Sequence, residues 1–376
     1  MTEILIIIFG IIGLISVLIV MHARRTVGYV YSGAIVSAWE GKLLKETRLV
    51  EMADAPGMEN LIASLEDTEY RPLLNEVLRD GEIDLESAEI AFKNHLNLRY
   101  LEILKIVPQK QKEVIRGLLK KLEIWNLKVI LTAIHNGAPV EENIRRYMSP
   151  PTMPSERIEM LTTARSLEQL LEFLKDSEYY AVLTTALKDY RERGLISLLS
   201  ALDIYYYTSL WKTVLQSKAQ RQILMKMIGC EIDIVNIKLL LRLKKEGATP
   251  EEIAGYLIRP AYLLTEGMLR DMTYAENIRA VLDVLSKTPY GRTLLDLLPQ
   301  IESQGIFIAE RALNEMRLKL FRQMAITHLF SLAPVISYIQ LKETEVRNLL
   351  ILLRLKALKV EPQKIKEKMV VPKLEL

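Results

Sequence analysis

Residues 230–244 read CEIDIVNIKLLLRLK. Leucine and isoleucine recur there at three- and four-residue intervals, the period of a helix with one buried face. Asn236 lies inside that helix, with Asp233 one turn earlier on the same side. Asparagine is a poor helix-interior residue because its amide competes for backbone hydrogen bonds, so its place here asks for a side-chain partner. The same element occurs twice more, as EIWNLKVIL from Glu123 and EVRNLLILL from Glu345. Asn126, Asn236 and Asn348 are spaced at intervals of 110 and 112.

Other landmarks keep this register. The segments LEDTEYRPLL (65–74), LKDSEYYAVL (174–183) and LSKTPYGRTL (285–294) set Tyr70, Tyr179 and Tyr290 at intervals of 109 and 111. Ala91-Phe92, Ala201-Leu202 and Ala312-Leu313 follow at 110 and 111. Pro150, Pro260 and Pro372 each follow an asparagine at one fixed interval, and Pro139, Pro250 and Pro362 follow at a shorter, nearly constant one. A repeat of about 110 residues is too long for a solenoid unit and has the size of a small domain. The chain divides into a candidate membrane span over 1–22 and helical repeats over 23–160, 161–270 and 271–376. No sustained alternating run bounded by turns breaks the helical pattern, so the expected fold is all-α. Three like lobes can close into a ring or line up as an array, and spacing alone does not choose.

The repeated residues carry the site expectations. Glu123 with Asn126, Asp233 with Asn236 and Glu345 with Asn348 are expected to hold a neighbouring helix or loop within each lobe, or to face a partner. Tyr70, Tyr179 and Tyr290 are expected to anchor the lobe cores. Arg242 and Arg354 stand at the same offset past their asparagines, where the first repeat has Thr132. They are read as ion-pair members or partner contacts.

The run from Ile4 to Met21 carries no charged residue. As a helix it extends about 27 Å, close to the apolar thickness of a bilayer. Arg24 and Arg25 follow, which sets the N-terminus outside and the rest of the chain in the cytoplasm. A buried core helix, or a start at Met21, are the competing readings of this run. It also accounts for the mean hydropathy of +0.12.

The remaining chemistry is sparse. With 50 Lys+Arg against 47 Asp+Glu the chain is near neutral, unlike a general nucleic-acid binder. One cysteine, Cys230, excludes an internal disulfide and any multi-cysteine zinc site, and it is expected to be a buried thiol. His22, His95, His135 and His328 show no paired metal-ligand spacing. No Walker loop, GxGxxG or GxSxG occurs, so no nucleotide, cofactor, metal or catalytic residue is expected on this chain. The basic run Arg354, Lys356, Lys359, Lys364, Lys366, Lys368, Lys373 reads as a solvated face or as an attractor for acidic headgroups or partners.

The stretches VGYVYSGAIVSAWEGKLL (27–44), SALDIYYYTSLW (200–211), CEIDIVNIKLLLRLK (230–244) and PVISYIQLKETEVRNLLILLRLK (334–356) resemble the C subunit of archaeal A-type ATP synthases, the counterpart of the d subunit in V-type ATPases. The resemblance extends over about residues 27–372. It implies three related helical lobes arranged as a funnel and a non-catalytic rotor part. That part would link central-stalk subunits to the proteolipid ring and pass torque between ion flow and ATP synthesis. An archaeal source fits. The N-terminal apolar segment departs from the family pattern, and on a rotor it is expected to turn with the ring, in or beside its central opening. The alternative is a membrane-tethered helical scaffold unrelated to the ATPase.

Overall fold

The computed structural model describes residues 13, 16, 17, 20, 26–79, 82–140, 153–218 and 220–371. The predicted span over 1–22 lies almost wholly outside them, as do Pro150, Pro372 and Lys373. Among the described residues no helix is long and apolar enough to cross a membrane. The body is helical. One short antiparallel ladder, Leu78–Arg79 with Glu82–Ile83, is the sole sheet among the described residues.

Six long helices stand out among the described residues: α1 (Leu85–Ile106), α2 (Lys112–His135), α3 (Leu195–Gln216), α4 (Arg221–Lys245), α5 (Phe307–Thr327) and α6 (Ala333–Ala357). They form three hairpins at the repeat spacing, α1–α2, α3–α4 and α5–α6. The sequence from Leu195 onward, free of proline, thus breaks at Ser217–Gln220 into two helices. Shorter helices fill the space between hairpins. Several begin on a side chain suited to the role: Thr249 forms a capping box with Glu252, and Thr265, Asn277 and Thr288 each accept a first-turn N–H.

Packing follows a cycle. The second long helix of each hairpin lies against the first of the next, α2 on α3 and α4 on α5, and α6 returns to α1. Buried clusters show the same return. One gathers residues from Cys230 to Leu313. Another joins Leu49–Phe92 to Val346–Met369, so the chain's first quarter shares a core with its last helices. The largest cluster lies between, around Leu118, Leu210 and Ile336. Of the repeated Ala-apolar pairs, Phe92, Leu202 and Leu313 are fully buried.

The second helix of each hairpin stops by one device. Gly137 and Gly247 adopt positive φ, and the N–H of the following residue, Ala138 or Ala248, donates to a carbonyl five back at 3.0 Å. This is a Schellman close. After α6 the position is Lys359, with φ of 55°, and Val360 donates to Leu355 at 2.9 Å. A side chain in left-handed backbone costs about 1–2 kcal/mol that glycine does not. Lys359→Gly is therefore expected to raise stability by about 1 kcal/mol in urea unfolding, with the lost backbone entropy of glycine reducing the gain.

Candidate functional site

The repeated residues meet one another. Tyr179 donates its hydroxyl to Glu123 at 2.6 Å, and Tyr290 donates to Asp233 at 3.0 Å. Tyr70 donates to Glu345 from the far end of the sequence. Each tyrosine thus reaches the acid of the preceding repeat in chain order. Tyr70 has no preceding repeat and takes the acid of the last.

The asparagines act on incoming backbone. Asn236 donates to the carbonyl of Ile258 at 2.9 Å and accepts from its N–H at 2.8 Å. Asn348 does the same to Val370, at 2.8 and 3.1 Å. Both clamped residues lie at the same interval ahead in the chain, just before the repeated proline. The matching segment beyond Asn126 lies outside the described residues. Asp233 then receives the N–H groups of Tyr262 and Leu263, both at 2.7 Å, so acid and amide grip one passing segment. Gly229 lets that segment close in: a Cβ there would stand 2.5 Å from Tyr262 Cβ. At the chain closure the backbone donor to Glu345 is Leu44 N–H, at 2.6 Å. An open cavity of about 450 Å³ lies beside it, with Glu40, Lys45, Arg322, Glu345 and Asn348 among its lining residues.

Arg242 and Arg354 have equivalent partners. Arg242 clasps Glu310 on α5 through two bonds of 2.5 and 2.8 Å, and Arg354 clasps Glu89 on α1 through the same two nitrogens. Two residues on, Lys244 donates to the Thr273 carbonyl and Lys356 to those of Ala53 and Ala55, each at the C-terminal end of a short helix where carbonyls lack helical partners. Lys366 pairs with Asp54 at 2.9 Å, and Lys368 stands over the Phe307 ring. Most of the basic run described is therefore engaged inside the molecule.

Sequence reading missed one set of residues. Lys342, one turn before Glu345, is fully buried. It donates to Tyr70 Oη at 2.6 Å, to Glu345 at 2.8 Å and to Glu69. His95 lies 3.6 Å from Glu69, and Arg99 donates to it at 2.8 Å. The α2–α3 contact has Lys120 on Glu178 and Tyr205 on the same carboxylate, but more exposed. The corresponding positions at α4–α5 are Cys230, Pro289 and Met316. Lysine, glutamate and the third polar group thus disappear together. A half-satisfied buried network is worse than an apolar one. The Arg–Glu clasp behaves alike, for Thr132 and Leu199 replace both partners at once. These paired exchanges were the signal available in the sequence.

Electrostatics match the burial. Burial by itself would raise the Glu69 carboxyl, but His95 and Lys342 outweigh it and hold Glu69 at about 2. Burial, then the Glu345 charge, push the Tyr70 hydroxyl well above its usual range, so it remains a donor. Burial pushes the Cys230 thiol up to about 11, which keeps it protonated. Among the described residues no group of three or more His, Cys, Asp or Glu side chains could hold a metal ion.

Comparison with known proteins finds relatives over most of the chain. The sequence profile described as ATP synthase (C/AC39) subunit matches residues 33–368. The chain is 29% identical over 340 residues to the A-type ATP synthase C subunit of Methanocaldococcus jannaschii, covering 90% of this chain and 85% of that one. It is 30% identical over 334 residues to the protein of the same name from Methanobrevibacter smithii, covering 87% and 84%. For Pyrococcus horikoshii the identity is 27% over 341 residues, covering 90% and 89%.

Two outcomes follow from the buried network. Lys342→Met alone leaves buried Glu345 without its cation, while Glu69 keeps Arg99, and is expected to cost about 3–5 kcal/mol. Adding Glu345→Gln removes the stranded charge while keeping an acceptor oxygen, and should recover a large part of that loss in chemical unfolding. The pH dependence has a defined sign. The Glu69 pKa is depressed on folding, so its stabilisation is present above the unfolded value and is lost as pH falls from about 4.5 through about 2. Glu69→Gln should flatten that acid limb by up to one proton, about 1.4 kcal/mol per pH unit.

Proposed function

The chain belongs to the ATP synthase (C/AC39) subunit family, and from that premise we propose that it is a non-catalytic rotor subunit joining the central stalk of a rotary ATP synthase to its proteolipid ring. The single observation that supports this most is the return of α6 onto α1, which makes the six long helices one continuous cycle. An adaptor that carries torque needs resistance to shear at every internal contact. Here each junction between hairpins combines an apolar core with at least one oriented polar bond, Tyr to acid, and two of them add an Arg–Glu clasp. Packed helices supply this stiffness with no reactive group.

In this reading the repeats over 23–160, 161–270 and 271–376 are like units of one funnel, with the stalk received at one end and the ring at the other. The apolar run Ile4–Met21 anchors the N-terminus across the membrane, with the body on the cytoplasmic face, and turns with the ring. Coupling between ion flow and ATP synthesis then passes through this body as rotation.

Affinity purification of the tagged chain from its native membrane tests the assignment. Stalk and proteolipid subunits are expected together in the eluate, and recovery of neither overturns it. A cysteine introduced by Ile12→Cys should crosslink to the ring or to nothing; a crosslink to a stationary membrane component contradicts rotation of the anchor.

A further inference from the structure

The six long helices meet along one axis. There Glu343 of α6 accepts from Tyr100 of α1 and from Lys121 of α2. Glu231 of α4 lies 3.7 Å from Arg317 of α5, and the charges of both carboxylates act on Tyr206 of α3. Lys121, Glu231 and Glu343 stand at equivalent positions, five residues before the repeated asparagines. About one turn toward the hairpin turns, Leu118, Ile228 and Gln340 are buried and close the axis. One turn the other way stand Trp125, Val235 and Arg347. Trp125 is 53% exposed, and Arg347 is exposed as well. The axial wall therefore opens toward the Schellman end.

The three sides of this wall differ. On the α2–α3 side Lys128 pairs with Asp203 at 2.5 Å. The equivalent positions on the α4–α5 side are Lys238 and Asn314, and the ammonium donates to the amide oxygen at 3.1 Å. In the Arg–Glu clasp both members change together; here the acid has become an amide and the lysine has stayed. On the α6–α1 side the positions hold Leu350 and Lys93. The carboxylates facing Lys238 are already engaged. Arg242 holds Glu310, Lys121 holds Glu343, and Glu231 faces Arg317, whose Nε is buried without a partner. Arg347 makes no hydrogen bond or ion pair with a described residue. Burial, then the Arg317 charge, lower Lys238 to about 8, and Arg347 adds to the same effect. Positive charge is thus left over on one side of the wall, and an aromatic face stands on another.

We propose that this wall is a keyed socket for the inserted end of the stalk: Lys238 and Arg347 take carboxylates of the stalk, Trp125 takes an apolar side chain, and the stalk seats in one of three azimuths. The inference rests on the rotor reading above and adds the register in which the two parts join. The occupant follows from the wall itself. Two cations without a carboxylate select an acidic surface by charge complementarity. An exposed tryptophan is the kind of anchor that protein interfaces bury. A stalk turned by a third would press its carboxylates on Trp125 or its apolar side on Lys238. Either arrangement desolvates a charge without pairing it, which rejects the wrong seating.

The test uses the complex purified from native membranes, with a benzophenone on Val235→Cys, the neutral position of the wall. Ultraviolet crosslinking, read by mass spectrometry, should give a single stalk peptide. The Lys238→Met/Arg347→Met variant removes two charges that have no carboxylate partner within the chain. Its unfolding midpoint should be unchanged or higher, while the affinity of the purified chain for its stalk falls about tenfold or more and becomes less sensitive to salt. Crosslinks spread over several faces of the stalk overturn the keying. Unchanged stalk affinity in the variant overturns the assignment of the cations. Crosslinks only to another component, with the stalk still in the complex, overturn the socket and leave the rotor reading standing. A purified complex without stalk subunits overturns the rotor reading itself.

Discussion

The buried contact of Lys342 and Glu345 with Glu69 and Tyr70 determines whether this chain is a closed body or a string of hairpins. Without it, α6 presents an acid, a lysine and an apolar face to water, and Leu49–Phe92 loses part of its core. The contact joins residues 275 apart, whereas the equivalent Tyr290–Asp233 contact joins residues 57 apart. Loop-closure entropy grows only with the logarithm of length, so the longer closure costs about 1.4 kcal/mol more. Any one of the added polar bonds offsets a comparable amount. Closure is thus thermodynamically modest, but it must be in register. Buried charges fix register, because every misaligned alternative strands one of them.

The same reasoning explains the exchange of partners between repeats. Lys342, Glu69 and His95 form a buried set; Lys120, Glu178 and Tyr205 form a more solvated one; Cys230, Pro289 and Met316 form none. The tyrosine–acid bond persists in all three, so it carries the common geometry. Asp233 keeps its function without a cation nearby by accepting two backbone N–H groups instead. An acid in such a place needs donors of some kind, and the chain supplies either a lysine or a turn of its own backbone.

Much of this was readable from spacing, and the unread part has a physical cause. The all-α class, the repeat, and the tyrosine, acid and asparagine positions all come from periodicity. Pairing did not. Tyr179 lies almost midway along the chain between Glu123 and Asp233, and Tyr290 almost midway between Asp233 and Glu345. With separations so nearly equal, sequence cannot say which acid a tyrosine meets. Tyr70 settles it in the structure, since it passes over Glu123 and meets Glu345. The basic C-terminal run looked like surface because lysine usually is. Lys356 and Lys366 instead reach the C-terminal end of the Glu46–Asp54 helix, a contact between chain ends that no local pattern encodes.

Closure also bears on how force would cross the molecule. In an open array of hairpins, a twist applied between the ends is borne by the interfaces in series, and the weakest one yields first. In a cycle the load divides between two paths, and a local opening at one interface leaves the other path intact. The six long helices run alternately between two ends, hairpin turns at one and Schellman caps at the other. Shear along the cycle therefore acts across the helix sides, where the Tyr–acid bonds and Arg–Glu clasps lie. Those bonds are directional and resist sliding, which an apolar contact alone does weakly. A rotor adaptor loaded in this direction gains more from oriented side-face bonds than from a larger core.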